Sequence, residues 1–295
     1  MTTVINVPPS LDEHSFEQVL EQVAPLPPDA RMLLDARHTK WASPYGLSAL
    51  LTLGQTRSEA RATLAVPEAD DTVSYWSRAK FFYYADELFD LKGIVPRRSA
   101  HADSQVLLEL TPISKHEDVH DVVGRIQEKA QQIIAHELGI DTKAIVGFSM
   151  TLSEVCQNII EHAGQGGWVM VQTYNWTRRL GRRVVVIAVC DAGLGFRRSL
   201  ETSGHQIPGD RWDDAAALEA AVIRGVSRFR DPGRGQGLAG VRKYVGRWGG
   251  KLSVRSGTAR IAIVPDWDDD VPLQERLPAF PGAQIEVTIP ERIAR

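Results

Sequence analysis

The spacing of apolar positions changes several times along the chain, and each change predicts an element. Residues 3–7 predict a short strand. Residues 11–23 place Leu11, Phe16, Val19, Leu20 and Val23 near helical spacing, and Pro25, Pro27 and Pro28 stop that helix. Met32 to Ala36 reads as a buried strand, Gly46 to Ala60 as a helix through Leu47, Leu50 and Leu51, and Thr63 to Val66 as another strand. Residues 71–91 read as one helix. Strands alternating with helices predict a small α/β layer domain over residues 1–97. A linker is expected at 98–104, within a stretch rich in Gly, Pro and polar residues, and a second domain at 105–295.

In that second part Val106, Leu108 and Leu110 alternate, so Gln105 to Pro112 predicts a strand, followed by a helix from Asp118 to Leu138. Asp141 is placed to cap the next helix. Residues 166–176 alternate as a strand. Residues 178–183, RRLGRR, predict a hairpin turn with Gly181 at its tip. Val184 to Cys190 is apolar throughout, as a central strand should be. Lys251 to Val254 and Gln284 to Ile289 predict later strands. The acidic stretch Asp266 to Asp270 is expected as an inserted loop, with no chemistry assigned to it.

Composition narrows the classes. The chain has 295 residues, 43% hydrophobic and 24% charged, with net charge −3, so no global field favours nucleic acid or an anionic membrane. No apolar run reaches membrane-span length, and the first residues lack a signal peptide's pattern. The two cysteines, Cys156 and Cys190, read as buried thiols in a reducing compartment, so a cytoplasmic location is expected. Tyr75, Trp76, Phe81, Phe82, Tyr83 and Tyr84 read as core and interdomain packing, or else as a docking face. His116, His120 and His136 read as surface or helix-end residues.

Three constellations carry candidate chemistry. Glu154, Asn158 and His162 recur every four residues, on one face of a helix, while Val155, Ile159 and Ile160 can face a core. A carboxylate one turn before a carboxamide suits a site that holds a hydrated cation and handles a proton; an ordinary amphipathic helix fits the same spacing. Asp191, at the end of the apolar strand, is followed by Gly193 and Gly195, which let the backbone turn closely around a flat base. Gly235, Gly237 and Gly240 spell GxGxxG, but the preceding SRFRDP is no hydrophobic strand, so the dinucleotide fingerprint fails on context. A glycine-rich loop opening a helix can still cradle phosphate through backbone amides.

These three pieces, in this order, resemble the GHKL ATPase family over about residues 104–291, and the Glu-x-x-x-Asn-x-x-x-His-Ala spacing looks closest to its anti-sigma-factor serine kinase branch. The resemblance implies an α/β (α+β) two-layer sandwich of the Bergerat type with a mixed sheet. It implies ATP and Mg²⁺ as ligands, Asn158 on the metal, Glu154 as general base and Asp191 on the adenine amine. Gly193 and Gly195 would shape the adenine pocket. Gly235, Gly237 and Leu238 would line the phosphates after a lid at 197–234, and His162 would lie near the nucleotide. One departure is Gly282-Ala283, where the family often has Gly-Thr with a hydroxyl supporting the adenine carboxylate.

The N-terminal LLDARHTKWASPYGLSALL and RAKFFYYA resemble the STAS domain of anti-sigma-factor antagonists. The usual phosphorylated serine positions hold Pro44 and Tyr45 here, leaving Ser43 as the candidate acceptor. Together the resemblances imply an ATP-binding signalling regulator of the partner-switching type, acting as a serine/threonine kinase on a regulatory protein partner of the anti-sigma-antagonist or sigma type. The alternatives are a non-catalytic nucleotide-dependent switch and a histidine-kinase-like or ATP-clamp ATPase. Neither direct nucleic-acid binding nor a membrane span is expected, and a homodimer is left open.

Overall fold

The computed structural model describes residues 2–57, 60–96, 106–129, 142–158, 166–202, 204, 212–226 and 237–291. Two sheets organise them. In the first, β1 (Thr3–Asn6), β3 (Met32–Asp35), β5 (Ala62–Ala65) and β6 (Phe89–Lys92) run parallel in that order. The short β2 (Ser10–Leu11) and β4 (Trp41–Ala42) pair separately.

The first helix is shorter than its apolar spacing predicts. Asp12 Oδ1 accepts from the amides of His14 and Ser15, which ties residues 12–15 into a turn and delays α1 until Phe16–Val23. α2 (Pro44–Gln55) has Pro at its first position, where a missing N–H costs nothing. The single helix expected at 71–91 is two. Lys80 takes a left-handed φ of 62° between α3 (Asp70–Arg78) and α4 (Phe81–Leu88), and the chain then leaves as β6. The Ala79 carbonyl at that break accepts from the Leu110 amide of the second sheet. Tertiary pairing there overrides helical spacing.

The second sheet has the order β12-β11-β10-β13-β9-β8-β7. Its strands are β7 (Val106–Ile113), β8 (Gly167–Trp176), β9 (Arg182–Asp191), β10 (Lys251–Gly257), β11 (Ala259–Ile263), β12 (Leu273–Gln274) and β13 (Phe280–Pro290). The mixed sheet expected here is antiparallel in every pair among the described residues; the parallel pairs belong to the first sheet. The reason is β13, which slots antiparallel between β9 and β10 and separates the two strands that share a direction. The RRLGRR segment does turn the chain between β8 and β9, through a four-residue helix α7 (Thr177–Leu180) and Gly181.

On one face of this sheet, Val185, Ile187 and Val189 of β9 and Ile285, Val287 and Ile289 of β13 share a core with Val119, Val122, Leu152 and Val155. Those four come from α5 (His116–Lys129) and α6 (Thr142–Asn158). The opposite face carries Trp168, Met170, Ala188 and Cys190, and these join the core of the N-terminal unit. Helix α2 lies between the two sheets, which is why every residue from Pro44 to Gly54 is buried, polar Ser48 and Thr52 included. Gln55 Oε1 accepts from Trp168 Nε1 at 3.0 Å, and Tyr84 of α4 packs on Trp168. The aromatic cluster is core and interdomain packing, apart from exposed Tyr83. Cys156 and Cys190 are buried free thiols, and His116 and His120 are exposed; His136 lies outside the described residues.

Candidate functional site

Helix α6 delivers the first constellation. Leu152, Val155 and Cys156 are buried against the sheet, while Glu154 and Asn158 are only partly buried on the other side of the helix. Asn158 Nδ2 donates to the Glu154 carbonyl at 2.8 Å. That commitment leaves Oδ1 as the oxygen available to a ligand, and an amide oxygen is the donor type that Mg²⁺ takes. Gly147 lets α6 approach α10 (Gly237–Arg247), because a Cβ there would collide with the ring of Tyr244. His162 lies outside the described residues.

Strand β9 delivers the second. Side chains alternate along it, so Asp191 projects with Ile187 and Val189 towards the face that carries α6. Asp191 is 5% exposed, and its carboxyl accepts from the Gly193 amide at 2.8 Å. Burial raises its pKa to about 7, against weaker opposing pulls from the amides of Gly193 and Ala283. No cation pairs with it among the described residues. A group in this state gains from a ligand N–H, which would stabilise the carboxylate where protein and solvent do not.

The turn around Asp191 is held from three sides. Gly195 opens α8 (Gly195–Thr202) with φ +73°, where a Cβ would stand 2.7 Å from Ser256 Oγ. Gly282 has φ +77°, and a Cβ there would run into the Asp191 backbone oxygen. Ser256 Oγ donates to the Gly282 carbonyl at 2.7 Å and accepts from the Phe196 amide at 3.1 Å. Gln284, fully buried, donates through Nε2 to the carbonyls of Asp191 and Pro281.

Ser256, Gln284 and the Ala283 amide escape sequence reasoning. They are distant in the chain and meet Asp191 only through the β9–β13–β10 register, in which Gln284 faces Cys190 and Ser256 faces Ala283. The hydroxyl missing at Ala283 therefore has a near substitute in Ser256, which braces the loop rather than the carboxylate itself.

Gly237 begins α10 and Leu238 is buried beneath it; Gly235 lies outside the described residues. The long lid expected at 197–234 is corrected in part. α9 (Asp214–Leu218) and a following wide turn, Glu219–Ile223, pack Leu218 and Val222 into the core. Asp213 caps α9 by accepting from the Ala216 amide, and Asp214 accepts from the amide and hydroxyl of Thr258. The alanine run 215–217 with its acidic cap favours a helix that the lid expectation overlooked.

Helix α6, the Asp191 turn and the start of α10 thus meet on one face of one sheet. No curated protein matches the chain. The family described as histidine kinase-, DNA gyrase B-, and HSP90-like ATPase matches residues 145–293, about half of the 295, and that span holds all three pieces. The chain belongs to this family of ATPases.

Proposed function

We propose that the protein is an ATP-binding signalling regulator of the partner-switching type, with a STAS-like unit over residues 1–97 and the ATPase domain over 105–295. The carrying observation is the buried Asp191 carboxyl, which has no cation partner among the described residues and lies on the same sheet face as Glu154 and Asn158. Asp191 accepts the adenine amine. Gly193 and Gly195 shape the turn around the base, and Gly235, Gly237, Leu238 and His162 lie towards the phosphates. Asn158 Oδ1 takes part in holding Mg²⁺, which when bound neutralises phosphate charge. Glu154 sits one turn away, where a base towards a protein hydroxyl is needed, so a serine or threonine of a regulatory partner is the proposed acceptor.

Calorimetric titration with ATP and Mg²⁺ tests binding. Saturable binding is expected, weakened by about 1.5–3 kcal/mol in Asp191→Ala; an unchanged affinity in that variant ends the adenine assignment. Transfer of labelled phosphate to an anti-sigma-antagonist-type protein, lost in Glu154→Gln, tests the kinase reading.

A second reading, a nucleotide-dependent switch without transfer, has its own observation. Ser43, the remaining candidate acceptor of the N-terminal unit, is 4% exposed and caps α2 by accepting from the Gly46 amide at 3.0 Å. An acceptor committed in this way cannot be modified without opening the helix end. Binding that persists with no transfer to any partner favours this version.

A further inference from the structure

Between the N-terminal unit and the outer face of the second sheet lies a cavity of about 410 Å³, a size suited to a small molecule. Three parts of the chain build it. The sheet supplies Tyr174, Trp176, Lys251 and Glu286; the N-terminal unit supplies Glu13 and Trp41; the loop between β11 and β12 supplies Trp267 and Asp270. That loop is the acidic stretch to which sequence reading assigns no chemistry. Glu286 alternates with Ile285 and Val287 and so faces away from Asp191.

The cavity is lined by six carboxylates, Asp12, Glu13, Asp268, Asp269, Asp270 and Glu286, against the single cation Lys251. Lys251 Nζ meets Glu13 Oε1 at 2.7 Å and Asp270 Oδ2 at 2.8 Å. Arg260, just behind, grips both oxygens of Asp270 at 2.6 Å. Exposed Asp269 aside, two acceptors are left over among the described residues. Glu13 is 4% exposed, yet among the described residues its Oε2 makes no hydrogen bond and has only Arg260 Nη1 at 3.7 Å. Glu286 has no hydrogen bond or ion pair to any described residue, and what remains exposed of it opens onto this cavity. A carboxylate out of water without a partner is costly.

The walls decide what would match it. Trp41 with Tyr174, at 5.9 Å, and Trp176 with Trp267, at 6.1 Å, form two aromatic pairs around the cavity. Aromatic faces attract cations, most strongly where water is excluded. A metal fits less well. Glu13, His14 and Asp270 bring ligand atoms within 4.8 Å of one another, but the Lys251 ammonium already holds oxygens of both acids.

We propose that this cavity binds an organic ammonium cation, its charge towards Glu286 and its alkyl groups against the Trp41–Tyr174 and Trp176–Trp267 pairs. Burial holds the Glu286 pKa well above the ordinary carboxylate range, reinforced by Glu13 and Asp12 and opposed by Lys251 and Arg260. His14 and Asp270 also face this space. Cation binding should therefore displace a proton from Glu286 and tighten as pH rises.

Calorimetry of the full chain with choline and with tetramethylammonium tests the site, using sodium at matched ionic strength and the neutral isostere 3,3-dimethylbutanol as controls. Saturable choline binding is expected, weakened about tenfold or more by Glu286→Gln and by Trp176→Leu, and unchanged by Asp191→Asn. Gln matches the shape of the Glu286 carboxyl and cannot ionise, so a melting temperature no lower than the parent's is expected and keeps its result interpretable. The proposal is overturned if neither cation saturates, if dimethylbutanol binds as well as choline, or if Glu286→Gln leaves choline affinity unchanged. Zinc or calcium binding that excludes choline and is lost in His14→Ala would overturn it in favour of a metal site.

Discussion

The two faces of the seven-stranded sheet handle charge in opposite ways. The outer face buries three cations, Lys251, Arg255 and Arg260, and each meets carboxylates. Arg255 donates to both oxygens of Glu17, at 2.6 and 3.2 Å, and so reaches α1 of the N-terminal unit. The helical face carries buried Asp191, with amides near it and no cation among the described residues. Matched buried charges need good geometry on both sides, so they fix how two surfaces meet. An unmatched buried carboxyl fixes nothing and is destabilising until a ligand completes it. The buried cations of one face are all matched within the chain; the buried Asp191 carboxyl of the other has no cation among the described residues, and on the proposed function a nucleotide would complete it.

The largest expected effect breaks the matched network of the outer face. Asp270→Ala removes the carboxylate that Lys251 and Arg260 share and leaves both ammonium and guanidinium under-compensated. A loss of about 3–5 kcal/mol is expected in urea unfolding. A loss below about 1 kcal/mol would mean the network is not what holds the two units together.

Asp191→Asn should act in the opposite direction. The Asp191 pKa is about 7 in the folded chain against an ordinary value of 3.8. Below the lower value both states are protonated and nothing is lost. As pH rises towards about 7 the unfolded chain gives up this proton while the folded chain keeps it, so stability falls, and the penalty is complete above that value. Asn keeps an acceptor for the Gly193 amide and never ionises. The variant should therefore be more stable at about pH 8, by up to about 4 kcal/mol, and equal to the parent in acid. Thermal melts of the pair across pH check this. A variant destabilised equally at every pH would show that the carboxyl is structural.

This difference between the faces also explains what could be read in the sequence. Glu154, Asn158 and Asp191 were legible because each announces itself locally, by a four-residue period or by a strand ending in a carboxylate and two glycines. The apolar run Val184 to Cys190 marked a strand buried on both sides, and the N-terminal unit is what covers its second side. The outer face was not legible. Lys251, Arg255 and Arg260 alternate with apolar residues as solvent-facing positions would, and only burial beneath α1, α2 and the 264–272 loop reveals them as core. The partners of Lys251 and Arg255 in α1 and the turn before it lie 238 residues away. Strand β6 escapes the sequence pattern for a related reason: Phe89-Asp90-Leu91-Lys92 continues a helical-looking run, and it is pairing with β5 that draws it into a sheet.

A smaller effect sharpens the ligand side. If adenine donates to ionised Asp191, nucleotide binding must release the proton held below about pH 7. Affinity should then weaken about tenfold per pH unit on the acid side and flatten on the alkaline side. Asp191→Asn should bind weakly with no such slope, and calorimetry in two buffers of different ionisation enthalpy would count the proton. A parent affinity that is level through neutrality removes Asp191 from the contact.

The smallest effect sits at the seam between the faces. Ser43 caps α2 through the Gly46 amide and also lines the acidic cavity with Glu13 and Glu286. Ser43→Ala should cost about 1 kcal/mol, the ordinary weight of a cap. Asp caps a helix as well as Ser does and gains from the helix dipole, so on an isolated helix Ser43→Asp would be neutral or better. Here it would add a carboxylate to a space where burial, Glu13 and Asp12 already push the Glu286 pKa up. Ser43→Asp should therefore melt below Ser43→Ala at about pH 8, and the gap should narrow as pH falls and the introduced carboxylate takes up a proton. The same repulsion opposes a phosphate at this serine. Should Ser43→Asp match the parent at alkaline pH, the helix end tolerates an anion, and Ser43 regains its standing as an acceptor.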